Sequence, residues 1–187
     1  MSAELKTKVA NPGPLGLLGF GMTTVLLNLH NAGLLPLSIV IVAMGIALGG
    51  LAQIIAGIRE LCQGNTFGGT AFTAYGLFWW SLVLIWWNPI DGIEAASKVA
   101  MGYYLLLWGI FTAFMFVGTL KHNKATQVVF GSLTVLFILL ALGDFTGNHT
   151  ITTIAGFEGI FCGLSAVYNA MGQILNAEFG KKIIPLG

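Results

Sequence analysis

The chain has 187 residues, of which 56% are hydrophobic and only 8% charged, and its formal net charge is +1. A soluble domain has roughly a quarter of its residues charged, so this chain has too little polar surface to cover a water-exposed globule. The net charge gives no basis for a nucleic-acid partner, and none is expected.

Charge-free windows run over Val9–Ile58, Leu61–Ile90, Val99–Leu120, Ala125–Gly143 and Gly159–Ala177. Crossing the hydrocarbon as a helix takes about 20 apolar residues, so the first window holds two spans. Alternation of apolar and polar residues, the mark of a membrane β-barrel, is absent. The expected fold is therefore an all-α membrane protein with six transmembrane helices in a single domain, residues 1–187. A short N-terminal stretch (1–12) and a tail (178–187) flank the membrane part.

Taken in order, the spans are expected at Pro14–Leu29, Leu37–Ile58, Gly69–Trp87, Ser97–Leu120, Thr126–Leu142 and Thr152–Ala177. Asn11-Pro12-Gly13-Pro14 opens the first, with Pro14 in the first turn, where a missing N–H is harmless. Met1–Ala10 is short and charged and reads as no secretory signal. His30–Gly33 turns the chain, Arg59-Glu60 ends the second span, and Asn88-Pro89 closes the third. Short links make successive spans antiparallel. Trp79, Trp80, Trp86 and Trp87 lie toward the outer end of the third span, where an aromatic belt is expected.

Basic residues set the orientation. Lys6, Lys8, Arg59, Lys121, Lys124, Lys181 and Lys182 fall on one side, and Lys98 alone on the other, beside Asp91 and Glu94. Both termini are thus expected in the cytoplasm, with the chain in the cytoplasmic (inner) membrane.

The odd-numbered spans repeat a device. Phe20-Gly21, Tyr75-Gly76 and Phe130-Gly131 are spaced by 55 and 55 residues, and FGMTTVLL matches FGSLTVLF at five of eight positions. Gly45-x3-Gly49 and Gly159-x3-Gly163 place small residues on even spans, where helices can approach closely. The pattern suggests three tandem helix hairpins in pseudo-threefold arrangement around a pore in each protomer. Phe20, Tyr75 and either Phe130 or Leu133 then form an apolar ring, a constriction. Thr23, Thr24, Asn28, Thr73, Ser132 and Thr134 supply hydrogen-bonding groups near it. Alternatively, the hydroxyls bond back to their own helix carbonyls. Phe20, Thr24 and Asn28 share one helical stripe, and an amide at lipid depth is costly unless it faces protein or water. Asn11 is positioned to cap the first helix and present its N–H groups at one mouth.

Glu158 lies about two turns into the sixth span. An intramembrane acid is a default functional candidate, here a possible proton site; the plainer reading is a bond to a neighbouring helix or protomer. His30 and His149 read as loop residues. Cys62 and Cys162 fit no metal spacing, and no metal or cofactor is expected. An enzyme is not expected either, since the deep acid Glu158 has no histidine near it.

At NPGPLGLLGF, GMTTVLLNLHN, GNTFGGTAFTAYGLFW, LWGIFTAFMFVGTLK and SLTVLF the chain resembles the acetate uptake transporter family, typified by bacterial succinate–acetate permeases. The likeness covers nearly the whole chain. It departs from the signature at Gly13, where Ala or Val is usual. The resemblance implies transport of acetate and related small carboxylates, including succinate in some members, across the cytoplasmic membrane. It implies a homo-hexamer with a pathway inside each protomer, narrowed by Phe20, Tyr75 and Leu133, and carboxylate sites on both sides of that narrowing. A carboxylate there is held by hydroxyls, Asn28, backbone N–H groups and helix N-termini, or crosses protonated. Channel and proton symporter both remain open, and a urea or short-chain amide channel of similar architecture is the alternative.

Overall fold

A computed structural model describes residues 9–187. Lys6 and Lys8, counted above for orientation, and most of the Met1–Ala10 segment lie outside the described residues. The described chain is six helical rods: α1 (Gly13–Asn31), α2 (Ile39–Cys62), α3 (Thr66–Trp87), α4 (Lys98–Lys121, its last turn 3₁₀), α5 (Lys124–Thr146) and α6 (His149–Glu178). All but α1 are both long and apolar enough to cross a membrane. Its composition explains the exception: Asn28, His30 and Asn31 lower the mean hydropathy of α1. Several boundaries differ from expectation. Arg59 and Glu60 do not end the second span but lie inside its last turns, and α3, α5 and α6 each begin before the expected start.

The early starts have a common cause. Asn65 Oδ1 accepts from Gly68 N (3.0 Å), Asn123 Oδ1 from Thr126 N (2.8 Å) and Asn148 Oδ1 from Thr150 N (2.9 Å). Each amide replaces a missing intrahelical partner, so the helix starts at the cap and not at the first apolar residue. At α1 the cap residue is Pro12, and Asn11 just before it accepts from Gly13 N at 2.9 Å. Between α5 and α6 the chain reverses through Gly147 at φ 63°, a left-handed conformation that a Cβ would disfavour.

The rods close into a ring in chain order, with α6 against α1, α2 against α3 and α4 against α5 as the tightest neighbours. In lipid, helices associate by close packing and polar contacts, and the glycines supply the closeness. A Cβ on Gly21 would meet the Gly163 carbonyl of α6 at 2.7 Å, and one on Gly76 the Gly50 carbonyl of α2 at 2.8 Å; at Gly131 the facing group is the Phe116 ring of α4, at 3.3 Å. The three glycines of the Phe/Tyr-Gly pairs therefore each face the preceding even-numbered helix around the ring, so the repeat shows in helix pairs that cross from one expected hairpin to the next. Gly159 leaves room for the Asn28 side chain, and Gly156 for the backbone of Asn31 and Ala32.

The middle of α2, Gly45–Ala52, is wound as a wide π-helix. Trp79 lies against Gly45 and Gly49, and the Trp80 indole against Gly50, donating to the Ile46 carbonyl at 3.0 Å. Trp79 is 2% exposed. These two tryptophans thus grip α2 and do not form the expected belt. Trp87 is exposed at the end of α3, and Trp86 lines a cavity. The tail after α6 folds back: Leu186 accepts from Ala125 N at 2.9 Å, and Asn176 holds both Ile183 N and Ile184 N.

Candidate conduction pathway

Two cavities lie along the ring, one at each end, and both draw residues from α1, α3 and α5. The cavity on the side of the chain termini, about 240 Å³, is lined by Asn11, Gly13 and Leu17 of α1 and its cap, by Asn65, Phe67, Gly68, Ala71 and Phe72, by His122, Asn123, Thr126 and Phe130, and by Glu60 and Gln173. The far cavity, about 230 Å³, is lined by Leu27, His30, Asn31, Leu37, Phe78, Leu82, Trp86, Met101, Leu105, Leu140, Asp144 and Thr152. On α1 the two linings are Leu17 and Leu27, on α3 Phe72 and Phe78, on α5 Phe130 and Leu140.

Between them the axis is filled. Phe20, Tyr75, Phe130 and Leu133 are all buried. The rings of Phe20 and Tyr75 are 6.1 Å apart, and those of Tyr75 and Phe130 also 6.1 Å. Tyr75 is the centrepiece, since it also touches Trp108 and Phe111 of α4. Its hydroxyl lies 2.9 Å from Thr112 Oγ1, and Thr112 spends its one proton on the Trp108 carbonyl at 2.7 Å. Tyr75 must therefore be the donor in that pair, and the bond fixes the ring across the axis.

The polar candidates divide. Thr24 falls on the same stripe of α1 as Leu17, Phe20 and Leu27; it is buried, and its hydroxyl has no partner. Thr23 turns to α2 instead, 3.4 Å from the Met44 carbonyl and against Gly49. Asn28 turns to α6, filling the gap at Gly159, with its amide donating to the Thr24 carbonyl at 2.9 Å and accepting from Asn31. Thr73 packs on Gly57 of α2 with its hydroxyl unpartnered. Ser132 bonds back to the Val128 and Val129 carbonyls and Thr134 to the Phe130 carbonyl, the back-bonding alternative for these two. The shared stripe of Phe20, Thr24 and Asn28 splits because 100° per residue carries the third member of an i, i+4, i+8 series round to the next face.

Glu158 lines neither axial cavity. It lies one turn before Cys162, whose thiol donates to the Val129 carbonyl of α5 at 3.7 Å, and its Oε2 is buried without a partner.

The terminal-side cavity holds a polar assembly that the sequence reading missed apart from Asn11. Asn11 Nδ2 donates to Gln173 Oε1 (2.9 Å), Gln173 Nε2 to Asn169 Oδ1 (3.0 Å), Asn169 Nδ2 to Thr126 Oγ1 (3.0 Å), and Thr126 Oγ1 to Asn123 Oδ1 (2.9 Å). Asn65 Nδ2 donates to Glu60 Oε2 at 2.7 Å. The N-termini of α1, α3 and α5, each with an asparagine amide accepting from its first turn, thus open onto one chamber. A signal existed: an asparagine precedes each odd-numbered helix at nearly the period of the Phe/Tyr-Gly pairs. Gln53, fully buried at the end of the wide segment, was also missed; it donates to the Gly49 carbonyl at 2.7 Å, and its Oε1 is unpartnered.

Comparison with known proteins gives consistent matches. The family described as GPR1/FUN34/yaaH matches residues 1–185. The Succinate-acetate/proton symporter SatP of Escherichia coli K12 is 57% identical over 97% of both chains. Ammonia transport outward protein 2 of Saccharomyces cerevisiae is 41% identical over 91% of this chain and 64% of its own length. The solved structure of the bacterial acetate channel SatP superposes with a TM-score of 0.94 at 56% identity, covering 96% of this chain and 100% of that one.

Proposed function

Since this chain belongs to the GPR1/FUN34/yaaH family, we propose that it conducts acetate and related small carboxylates, succinate among them, across a membrane along the axis of its six helices. One observation carries the reading: two chambers are separated by an apolar plug, and three helix N-termini, each bonded by an asparagine, open onto one of them. The positive ends of three helix dipoles favour a carboxylate there without a fixed cation. Thr126 and the Asn11–Gln173–Asn169 chain orient those asparagines.

The plug of Phe20, Tyr75 and Leu133, with Phe130 beside it, is the selecting aperture. A carboxylate loses its hydration to enter it, which is costly for one charge and prohibitive for two. Small monocarboxylates are therefore preferred, and succinate passes only with at least one carboxyl neutral. Thr24, beside Phe20 with a free hydroxyl, offers a hydrogen bond on the far side of the plug. The working assembly is a homo-hexamer in the cytoplasmic membrane, each protomer with its own pathway and both termini in the cytoplasm. Of the relatives, one is described as a proton symporter and one structure as a channel.

Proteoliposomes holding the full chain test the reading. Labelled acetate enters above the empty-vesicle background, and Phe20→Ala changes the rate. Uptake of labelled urea with no uptake of acetate refutes the proposal in favour of an amide channel.

A further inference from the structure

The terminal-side chamber contains a carboxylate of its own. Glu60, in the last turn of α2, is only 6% exposed and lines the cavity that the N-termini of α1, α3 and α5 surround. Its Oε2 is held by Asn65 Nδ2 at 2.7 Å, and its Oε1 points toward Gly13. The packed pair of α6 and α1, related to that of α2 and α3, offers a direct comparison. There Asn11, the counterpart of Asn65, donates to Gln173, a neutral amide. Either an amide or a carboxylate can accept that bond, so the hydrogen bond alone does not account for an acid at Glu60. Among the described residues lining this chamber, the other titratable group is His122, its ring tilted against Phe67 at 4.8 Å between centroids. From α1, α3 and α6 the facing polar groups are the neutral Asn11, Asn65 and Gln173. Arg59 precedes Glu60 on the same helix.

Resting on the reading that acetate passes along this axis, we infer that Glu60 is the group that ties a proton to the carboxylate in transit. Two carboxylates in one chamber of about 240 Å³, walled by protein, repel each other unless a proton lies between them. An acetate that enters therefore takes up one proton together with Glu60. The proton bridges a Glu60 oxygen and an acetate oxygen. When the substrate moves into the apolar plug, the proton goes with it, the O–H bond to Glu60 breaks, and the substrate travels as the neutral acid. Glu60 is left ionised, with Asn65 donating to it, and takes its next proton from water at the mouth. In the opposite direction the same steps reverse: the acid gives its proton to Glu60, leaves as acetate, and Glu60 releases the proton to the same side. One proton crosses with each carboxylate either way, and no other bond changes.

The test uses proteoliposomes of the full chain with labelled acetate and an internal pH dye, at clamped voltage, with empty vesicles subtracted. Wild type is expected to move about one proton per acetate. Glu60→Gln keeps the bond from Asn65 and is expected to carry acetate with at least a tenfold lower proton-to-acetate ratio and a flux that now follows voltage. Glu60→Asp restores the ratio, and Glu158→Gln, off the axis, leaves it at the wild-type value. A Glu60→Gln protein with the wild-type ratio overturns the inference and leaves the transport reading standing. So does a wild type that carries acetate as bare current with no proton, which decides the matter even where Glu60→Gln fails to fold. A wild type that moves no acetate at all defeats the transport reading itself.

Discussion

Removing the hydroxyl of Thr112 tests how the plug is held. Thr112→Val keeps the shape of the side chain and deletes one oxygen. Tyr75 is 3% exposed and its ring is surrounded by Phe20, Trp108, Phe111 and Phe130; its hydroxyl loses its acceptor at 2.9 Å. Orphaning a buried donor costs about 1–3 kcal/mol, and hydrogen bonds between membrane helices fall toward the low end of such ranges, so about 1–2 kcal/mol is expected here. Tyr75→Phe is the informative partner. It removes the donor, and Thr112 keeps the Trp108 carbonyl at 2.7 Å, so nothing is orphaned and the cost is about 0.5 kcal/mol. The double variant should cost no more than about Tyr75→Phe alone. Equilibrium unfolding in mixed micelles measures all three, and acetate flux reads the loosened ring in Thr112→Val. If Tyr75→Phe proves the more costly change, the donor assignment and the role given to Thr112 are both wrong.

Other changes probe the packing and the caps. Gly163→Leu drives a side chain into the Gly21 carbonyl at 2.7 Å; it should separate α1 from α6 and lower stability by about 1–3 kcal/mol, seen as earlier thermal aggregation in detergent. Asn65→Ala removes the cap of α3 and the bond to Glu60; a loss of about 1–2 kcal/mol should accompany faster amide exchange at the start of α3. Phe20→Ala should cost about 3 kcal/mol and narrow the preference for acetate over succinate in a competition uptake assay, whereas Ser132→Ala, a residue bonded to its own helix, should leave that preference unchanged.

The sequence reading stopped short at particular places, for physical reasons. Phe20-Gly21, Tyr75-Gly76 and Phe130-Gly131 were visible as a repeat because close helix packing demands glycine beside the core residue at a fixed depth. The polarity of Thr23, Asn28 and Thr73 near the ring is plain in the sequence, but their direction is not. A rotation of one residue on a helix turns a side chain by 100°, and the neighbours that set that rotation, Gly49, Gly159 and Gly57, come from other rods. Trp79 and Trp80 looked like interface anchors because the sequence could not show that α2 widens at Gly45–Ala52 to receive them. Glu60 looked like the end of a span beside Arg59. Its place in a chamber follows only from α1, α3 and α6 meeting around it.

By itself, then, the sequence determined that this is a six-helix membrane protein, where its helices run to within a turn, and that its odd-numbered helices repeat a Phe/Tyr-Gly pair. These properties follow from hydropathy and local spacing, which are carried by residues near one another in the chain. Tertiary structure alone decided which polar groups face the axis, that three asparagine-bonded helix N-termini share one chamber, and that an acid stands among them. Such facts depend on the rotation and docking of distant helices, and packing sets those one contact at a time.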